Sequence, residues 1–310
     1  MNIRLLFRQA VLGVCLLLLP FPVCSHTNQS ATDALDPEVQ RFRAFLADDW
    51  KRLMLDYPEF ATWVGYPGQN RRWTDESPAG YELRVKHLRE SLSAIKQFHR
   101  DQVPPNEQLN YDLYLKNLQL FDEGLQYGGS PIGGGNIWIP VTQLDGVQQD
   151  PAALLAVMPH QSVQDYDDIL ARLAALPQVV NQAIARMKGG IAKGYSPPQI
   201  TMRDVPTQVA DLIPPDPMKS ALLEPFQKFP PSIGETEQAK LLARAKEIYT
   251  NADVPAFSKL RGYLVSTYIP ACRQSIAATD LPNGAAAYAY QVRLHTTTSL
   301  TPAQIHEIGL

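Results

Sequence analysis

His306 and Glu307 begin the pattern in which two histidines one helical turn apart hold zinc while the glutamate between them serves as base. The second ligand of that pattern would fall on residue 310, which is Leu310, so the pair reads as a helix-surface or packing pair and not as a metal site. His295 precedes Thr296, Thr297 and Thr298 between two helical segments, where an imidazole can face a cleft or serve in local hydrogen bonding. His87, His99 and His160 fall on separate elements with no ligand spacing among them. No Gly-x-Ser-x-Gly elbow and no Ser-x-x-Lys with its companion motifs supplies a nucleophile. Cys272 lies in a helical pattern and reads as a small buried hydrophobe. The acidic pairs Asp48-Asp49 and Asp167-Asp168 read as solvated helix faces. Gly128 to Gly135 is rich in glycine, yet no Lys-Ser/Thr follows Gly135, so a flexible or close-packed loop is expected in place of a phosphate loop.

The elements that would position these side chains are helices. Asp36 before Pro37 is a helix start with a capping side chain and proline at the first helical position. Val39, Phe42, Leu46, Trp50, Leu53 and Tyr57 recur at three- and four-residue steps until Pro58. Ser77-Pro78 opens a second amphipathic helix, and Tyr111, Tyr114, Leu118, Phe121 and Leu125 define a third. Ile137 to Val141 is the best short extended segment. Helical spacing returns at Val163, Tyr166, Leu170 and Leu173, and again after Pro177 at Val180, Ile184, Met187 and Ile191. Further helical patterns cover about 201–213, 217–229, 236–250 and 255–276, with breaks at Pro214-Pro215, Pro230-Pro231 and Val254-Pro255. Thr301, Pro302 and Gln304 form a capping box that starts one more helix, which stops after about two and a half turns. With no alternating strand array, the fold class is mostly α, a multi-helical array with little extended structure. The short last helix suggests a chain truncated inside a helix.

Composition narrows the setting. The 310 residues carry 28 Lys+Arg against 31 Asp+Glu, and the formal net charge of −3 with no basic run argues against a nucleic-acid partner. Arg4 and Arg8 precede an apolar stretch, Val11 to Leu19, which is followed by Pro20, Pro22 and Ser25; this reads as a signal peptide over residues 1–25 and a mature chain over 26–310, secreted or periplasmic. The apolar stretch is shorter than the roughly 20 residues of a spanning helix, so no transmembrane helix is expected. Lipid anchoring at Cys24 is the competing fate, disfavoured by Phe21-Pro22-Val23 before it. Loss of the leader removes Cys15 and Cys24 and leaves Cys272 alone, so the mature chain has no internal disulfide.

Leu281-Pro-Asn-Gly284, Tyr288, Arg293-Leu-His-Thr-Thr-Thr298 and Leu300-Thr-Pro-Ala-Gln-Ile-His-Glu-Ile-Gly-Leu310 resemble a bacterial family catalogued as domain of unknown function 885. Tyr57 to Gly65, Gln143 to Gly146, Arg172 to Pro177 and Gly194 to Pro198 are similar to it as well. The resemblance implies an exported zinc peptidase of the helical, oligopeptidase-like kind, with a channel between two mostly helical lobes. Its metal motif, of the His-Glu-x-x-x-Gly-His-His type, would lie in the half that follows Leu310, so this chain looks like the N-terminal half. The same resemblance assigns this chain no catalytic residue and no metal ligand, with zinc expected only in the full-length protein. Tyr288 and His295 become the expected cleft residues, as hydrogen-bond donors to a peptide substrate; the missing C-terminal half is the expected partner. By itself the chain is expected to be inactive. The alternatives are a helical envelope protein that binds peptide or protein without catalysis, and a truncated inactive product.

Overall fold

The computed structural model describes residues 37–310. The expected leader and the Asp36 cap lie outside the described residues. The helices are α1 (Pro37–Asp56), α2 (Pro58–Trp63), α3 (Pro78–Ile95), α4 (Gln108–Gly124), α5 (Asp150–Val157), α6 (Val163–Ala192), α7 (Val205–Leu212), α8 (Glu235–Ile248), α9 (Val254–Tyr263), α10 (Ile269–Ala271), α11 (Gly284–Thr296) and α12 (Pro302–Gly309). The architecture is mostly α, and the extended pairing among the described residues is confined to isolated bridges. No helix among the described residues is long and apolar enough to cross a membrane.

Two compact units divide the chain. The first holds the described residues up to Leu53 together with Arg89–Gln119. Its centre is aromatic: Phe42, fully buried, meets the Phe98 ring edge-on at 5.4 Å and the Tyr111 ring at 6.1 Å. Asp49 is buried there, accepting from Arg52, from Ser91 Oγ at 2.6 Å and from the Tyr114 hydroxyl. This corrects the expectation of a solvated face for Asp49; only Asp48 is exposed. Burial and the adjacent Asp49 charge push the Tyr114 hydroxyl well above the usual phenol range, which keeps it a donor.

The second unit, Met54–Leu88 and Leu120–Leu310, is organised by α6. At 30 residues this helix is about 45 Å long by the α-helical rise. A capping box between Ser162 and Asp165 starts it, and Tyr166, Leu170, Leu173, Val180, Ile184 and Met187 line its buried face. Pro177 sits inside α6 and does not divide it as the proline spacing suggested; the loss of one backbone donor is outweighed by Leu173, Leu176 and Val180, all fully buried around it.

Arg172 is the one cation on the buried face of α6, with no exposed surface. Its Nε donates to the Arg72 carbonyl at 3.0 Å, and its Nη2 to Pro58 O at 3.1 Å, Thr62 Oγ1 at 2.8 Å and Gln69 O at 3.2 Å. The Trp73 ring covers the guanidinium at 5.2 Å while its indole Nε1 donates to the Arg172 carbonyl at 2.9 Å. Glu59 completes the clamp by accepting from the Thr74 backbone N–H at 3.0 Å. Desolvation lowers the Arg172 pKa to about 10, a value at which it stays protonated at neutral pH.

Ile137 to Val141 is not a strand. Trp138 lies against Gly189 and Gly190 of α6, where an added Cβ would come within 2.8 Å of the indole and 2.3 Å of the Trp138 carbonyl. Arg186 Nε donates to Ile137 O at 2.6 Å, and Lys193 Nζ stands 5.1 Å from the Trp138 ring. The segment's backbone is therefore engaged by a helix, and no strand flanks it. The glycine loop is close-packed at one end, with Gly133 against Phe121, and open at Gly134 and Gly135.

The pattern over 217–229 yields only 3₁₀ turns, Pro217–Lys219 and Ala221–Phe226. The Asp216 carboxylate accepts from Met218 N at 3.0 Å and Ser220 Oγ from Leu222 N at 3.2 Å, local bonds that compete with a continuous helix. Val254-Pro255 is not a break either. From Glu235 to Ala271 the chain runs as α8, a π turn at Tyr249–Asp253, α9, a second π turn at Leu264–Tyr268, and α10. Each π turn ends two residues before a proline, Pro255 and Pro270, whose missing N–H and ring bulk the widened turn accommodates.

Two outcomes follow from these contacts. Replacing Arg172 by Met should leave the 58–72 carbonyls without a donor and lower unfolding free energy by about 3 kcal/mol, with faster proteolysis at 64–73; a melting temperature equal to wild type would refute the clamp. Gly190→Ala should cost about 2 kcal/mol by overpacking and alter the near-UV signal of Trp138, whereas an unchanged melt and spectrum would mean that the Trp138 backbone can shift freely.

Candidate functional site

The sequence-derived cleft residues lie on α11. Asn283 adopts φ 54° at its start, and Gly284 sits where a Cβ would be 2.4 Å from Ala278 O. Inward, Tyr290 is buried with its ring 5.4 Å from that of Tyr127 and its hydroxyl against Gly124. Arg293 pairs with Glu123. Burial pushes the Tyr290 hydroxyl up to about 12.

These two anchors set the rotation of α11. Tyr288, Gln291 and His295, spaced by three and four residues, then fall on one outward stripe. Tyr288 is 49% exposed. His295 is exposed, and its Nε2 lies 3.1 Å from Gln291 Oε1, a contact that orients the ring. The phenol and the imidazole are separated by about 10 Å along the helix, the distance of roughly three residues of extended peptide. The phenol can donate to carbonyl or carboxylate oxygens, and the imidazole can do so by exchanging its Gln291 contact or by protonation of Nδ1.

Thr297, at φ 57°, ends α11, and the Thr301–Gln304 capping box opens α12 as the sequence indicates. His306 and Glu307 are exposed on α12, as are Ile308 and Leu310, at 73% and 88%. Among the described residues no group of three His, Cys, Asp or Glu side chains stands together to hold a metal ion. No donor set of the kind zinc takes is therefore assembled among the described residues.

A polar cluster that the spacing did not reveal gathers residues from 56 to 87 and α6. His87 Nδ1 lies 2.6 Å from Asp56 Oδ2. Glu76 bridges Arg84 at 2.9 Å and Arg186 at 2.8 Å, while Gln182 Nε2 donates to Asp75 at 2.7 Å. Backbone donation from Ser77 holds the Asp75 carboxyl below the usual range, and burial lowers Arg186. Each carboxylate of the cluster is met by a side-chain partner, Glu76 by Arg84 and Arg186, Asp75 by Gln182 and Asp56 by His87, so the cluster serves as a framework for the 54–88 segment. These partners are up to 107 residues apart in the chain, and no local pattern could have joined them.

The other unforeseen group is Asp253. It has no exposed surface, closes the first π turn, and neither carboxyl oxygen has a hydrogen-bond partner. Cys272 is buried as expected, just beyond α10, and burial pushes its thiol up to about 11.

With this geometry in place, comparison with known proteins gives a consistent picture. The chain is similar in fold to the crystal structure of a protein from Colwellia psychrerythraea provisionally assigned as a lipoprotein, at a TM-score of 0.76 and 15% identity, over 88% of this chain and 49% of that one. It thus spans about half the length of that structure, and at this identity the likeness concerns the fold. No curated protein matches the chain. The family model described as bacterial protein of unknown function (DUF885) matches residues 58–310, which takes in both α6 and the α11–α12 pair, and the chain belongs to that family.

Proposed function

We propose that this chain is the substrate-positioning half of an exported zinc-dependent peptidase, with α11 lining the wall that a peptide passes. The observation that carries the reading is the outward stripe of Tyr288, Gln291 and His295 on a helix whose rotation Tyr290 and Arg293 fix. Support comes from family membership and from a related fold of about twice the length. In this reading the Tyr288 hydroxyl and the His295 ring donate to a peptide carbonyl or terminal carboxylate, holding an extended backbone in register. Zinc and the base that activates water would belong to the other half of the fold, and the chain alone would be inactive. The leader-like residues 1–25 and the lipoprotein assignment of the Colwellia protein support an envelope location.

The test is kinetic, on the full-length exported protein. Chelator-sensitive hydrolysis of unmodified peptides is expected, with Tyr288→Phe and His295→Gln each raising KM about tenfold, roughly 1.4 kcal/mol of binding, without loss of bound zinc. Peptide binding without hydrolysis or metal would replace this reading by that of a non-catalytic envelope binder. Hydrolysis with kinetics unchanged in both variants would remove Tyr288 and His295 from the substrate path.

A further inference from the structure

The continuous stretch from α8 to α10 carries a second feature, independent of the peptidase reading. Asp253 is fully buried at the end of the Tyr249–Asp253 π turn, and both of its oxygens lack partners. A buried carboxylate in that state is costly, whereas the neutral acid is tolerated. Fifteen residues on, Tyr268 closes the second π turn with its hydroxyl also buried and unpartnered.

We propose that the Tyr249–Asp253 turn is a pH-sensitive latch: with Asp253 neutral the stretch from Tyr249 to Cys272 stays closed on α6, and ionisation of Asp253 releases it. The titratable group facing Asp253 is Tyr249, one turn earlier, whose hydroxyl is committed to Pro214 O at 3.1 Å with Asp216 beyond it. The packed neighbours are α6, α8 and α9. None of their cations pairs with Asp253: on α6, Arg172 holds the 58–72 carbonyls, Arg186 pairs with Glu76 and Lys188 lies over Tyr263; on α8, Lys240 pairs with Glu237 and Arg244 with Asp167, and half-buried Lys246 makes no contact with the Asp253 oxygens; on α9, Lys259 meets Asn181 and Arg261 is exposed. Glu247 of α8 is exposed. No counter-charge is therefore in place for an ionised Asp253.

Burial alone pushes the Asp253 carboxyl up to about 8 from its ordinary 3.8. The sign follows from proton uptake: between these values the folded state keeps a proton that the unfolded or opened state releases. Stability from this group is complete below about pH 4 and is lost as pH rises through 8. The switching window thus runs from about pH 4 to about pH 8 and closes above it.

Cys272, only 4% exposed at the far end of the stretch, is a natural reporter. The experiment measures maleimide modification of Cys272 by peptide mapping, from pH 6 to 9.5, on the full exported protein and its Asp253→Asn variant. The ratio of wild-type to variant rate cancels the thiol's own ionisation. It should rise at least about tenfold between pH 6 and pH 8 and level off above; a ratio that stays constant throughout would overturn the latch. Should Asp253→Asn not fold, amide exchange in the wild type decides instead. Protection at 249–253, corrected for intrinsic exchange, should fall about tenfold across the same window while that of Leu170 to Met187 holds, and parallel behaviour of both segments would refute the proposal.

Discussion

The second unit depends on a charge placed where water cannot reach it. Arg172 has no carboxylate in contact; its Nε and Nη2 converge on the carbonyls of Pro58, Gln69 and Arg72 and on the Thr62 hydroxyl, with the Trp73 ring as a lid and Nη1 left unpartnered. Backbone carbonyls in an irregular segment need donors once buried, and a single guanidinium supplies several at fixed geometry. A lysine could not span these acceptors. The interaction thus converts the residues between α2 and α3, which have little regular structure, into a fixed layer on α6. The same helix receives Trp138 through Gly189 and Gly190, so small residues and one large cation together determine what α6 can hold.

A different constraint governs the 235–271 stretch. Prolines at 255 and 270 would ordinarily interrupt a helix, yet each is preceded by a π turn that widens the backbone where a donor is missing. The core residues Leu241, Ala245, Phe257, Leu260 and Leu264 remain buried along the whole run. Continuity is gained at the expense of local polar satisfaction, since within this stretch the unpartnered buried side-chain oxygens belong to Asp253 and Tyr268, the last residues of the two π turns. Within this stretch the irregular turns and the unsatisfied groups coincide, and this is the physical reason to regard them as one device.

Much of this architecture is legible in the residues. The apolar spacing of Phe42 and Trp50, the Ser77-Pro78 start and the Thr301–Gln304 box all correspond to helices with the expected limits, because local propensity and the buried face agree. Proline was the least dependable sign. Pro177 and Pro255 lie within helical runs because long-range packing exceeds the local penalty. Ile137 to Val141 had strand-like composition but lacked a pairing neighbour, which only the tertiary arrangement decides. Asp49 looked solvated from its polar flanks; its burial follows from Ser91 and Tyr114, some 42 and 65 residues away. The stripe of Tyr288 and His295 could be anticipated as candidates, whereas its outward direction depends on Tyr290 meeting Tyr127 and Arg293 meeting Glu123, contacts that no helical period contains.

Taken together, α6 with its Arg172 clamp gives a rigid support, and α11 offers a polar stripe held by two inward anchors, in a chain that belongs to the DUF885 family. The central claim is that this stripe faces substrate. Amide hydrogen exchange on the full-length protein, with and without saturating non-hydrolysable peptide, tests it most directly. The account predicts slowed exchange across Gly284 to His306 and no change in Leu170 to Met187; peptide binding that leaves 284–306 unprotected would contradict it.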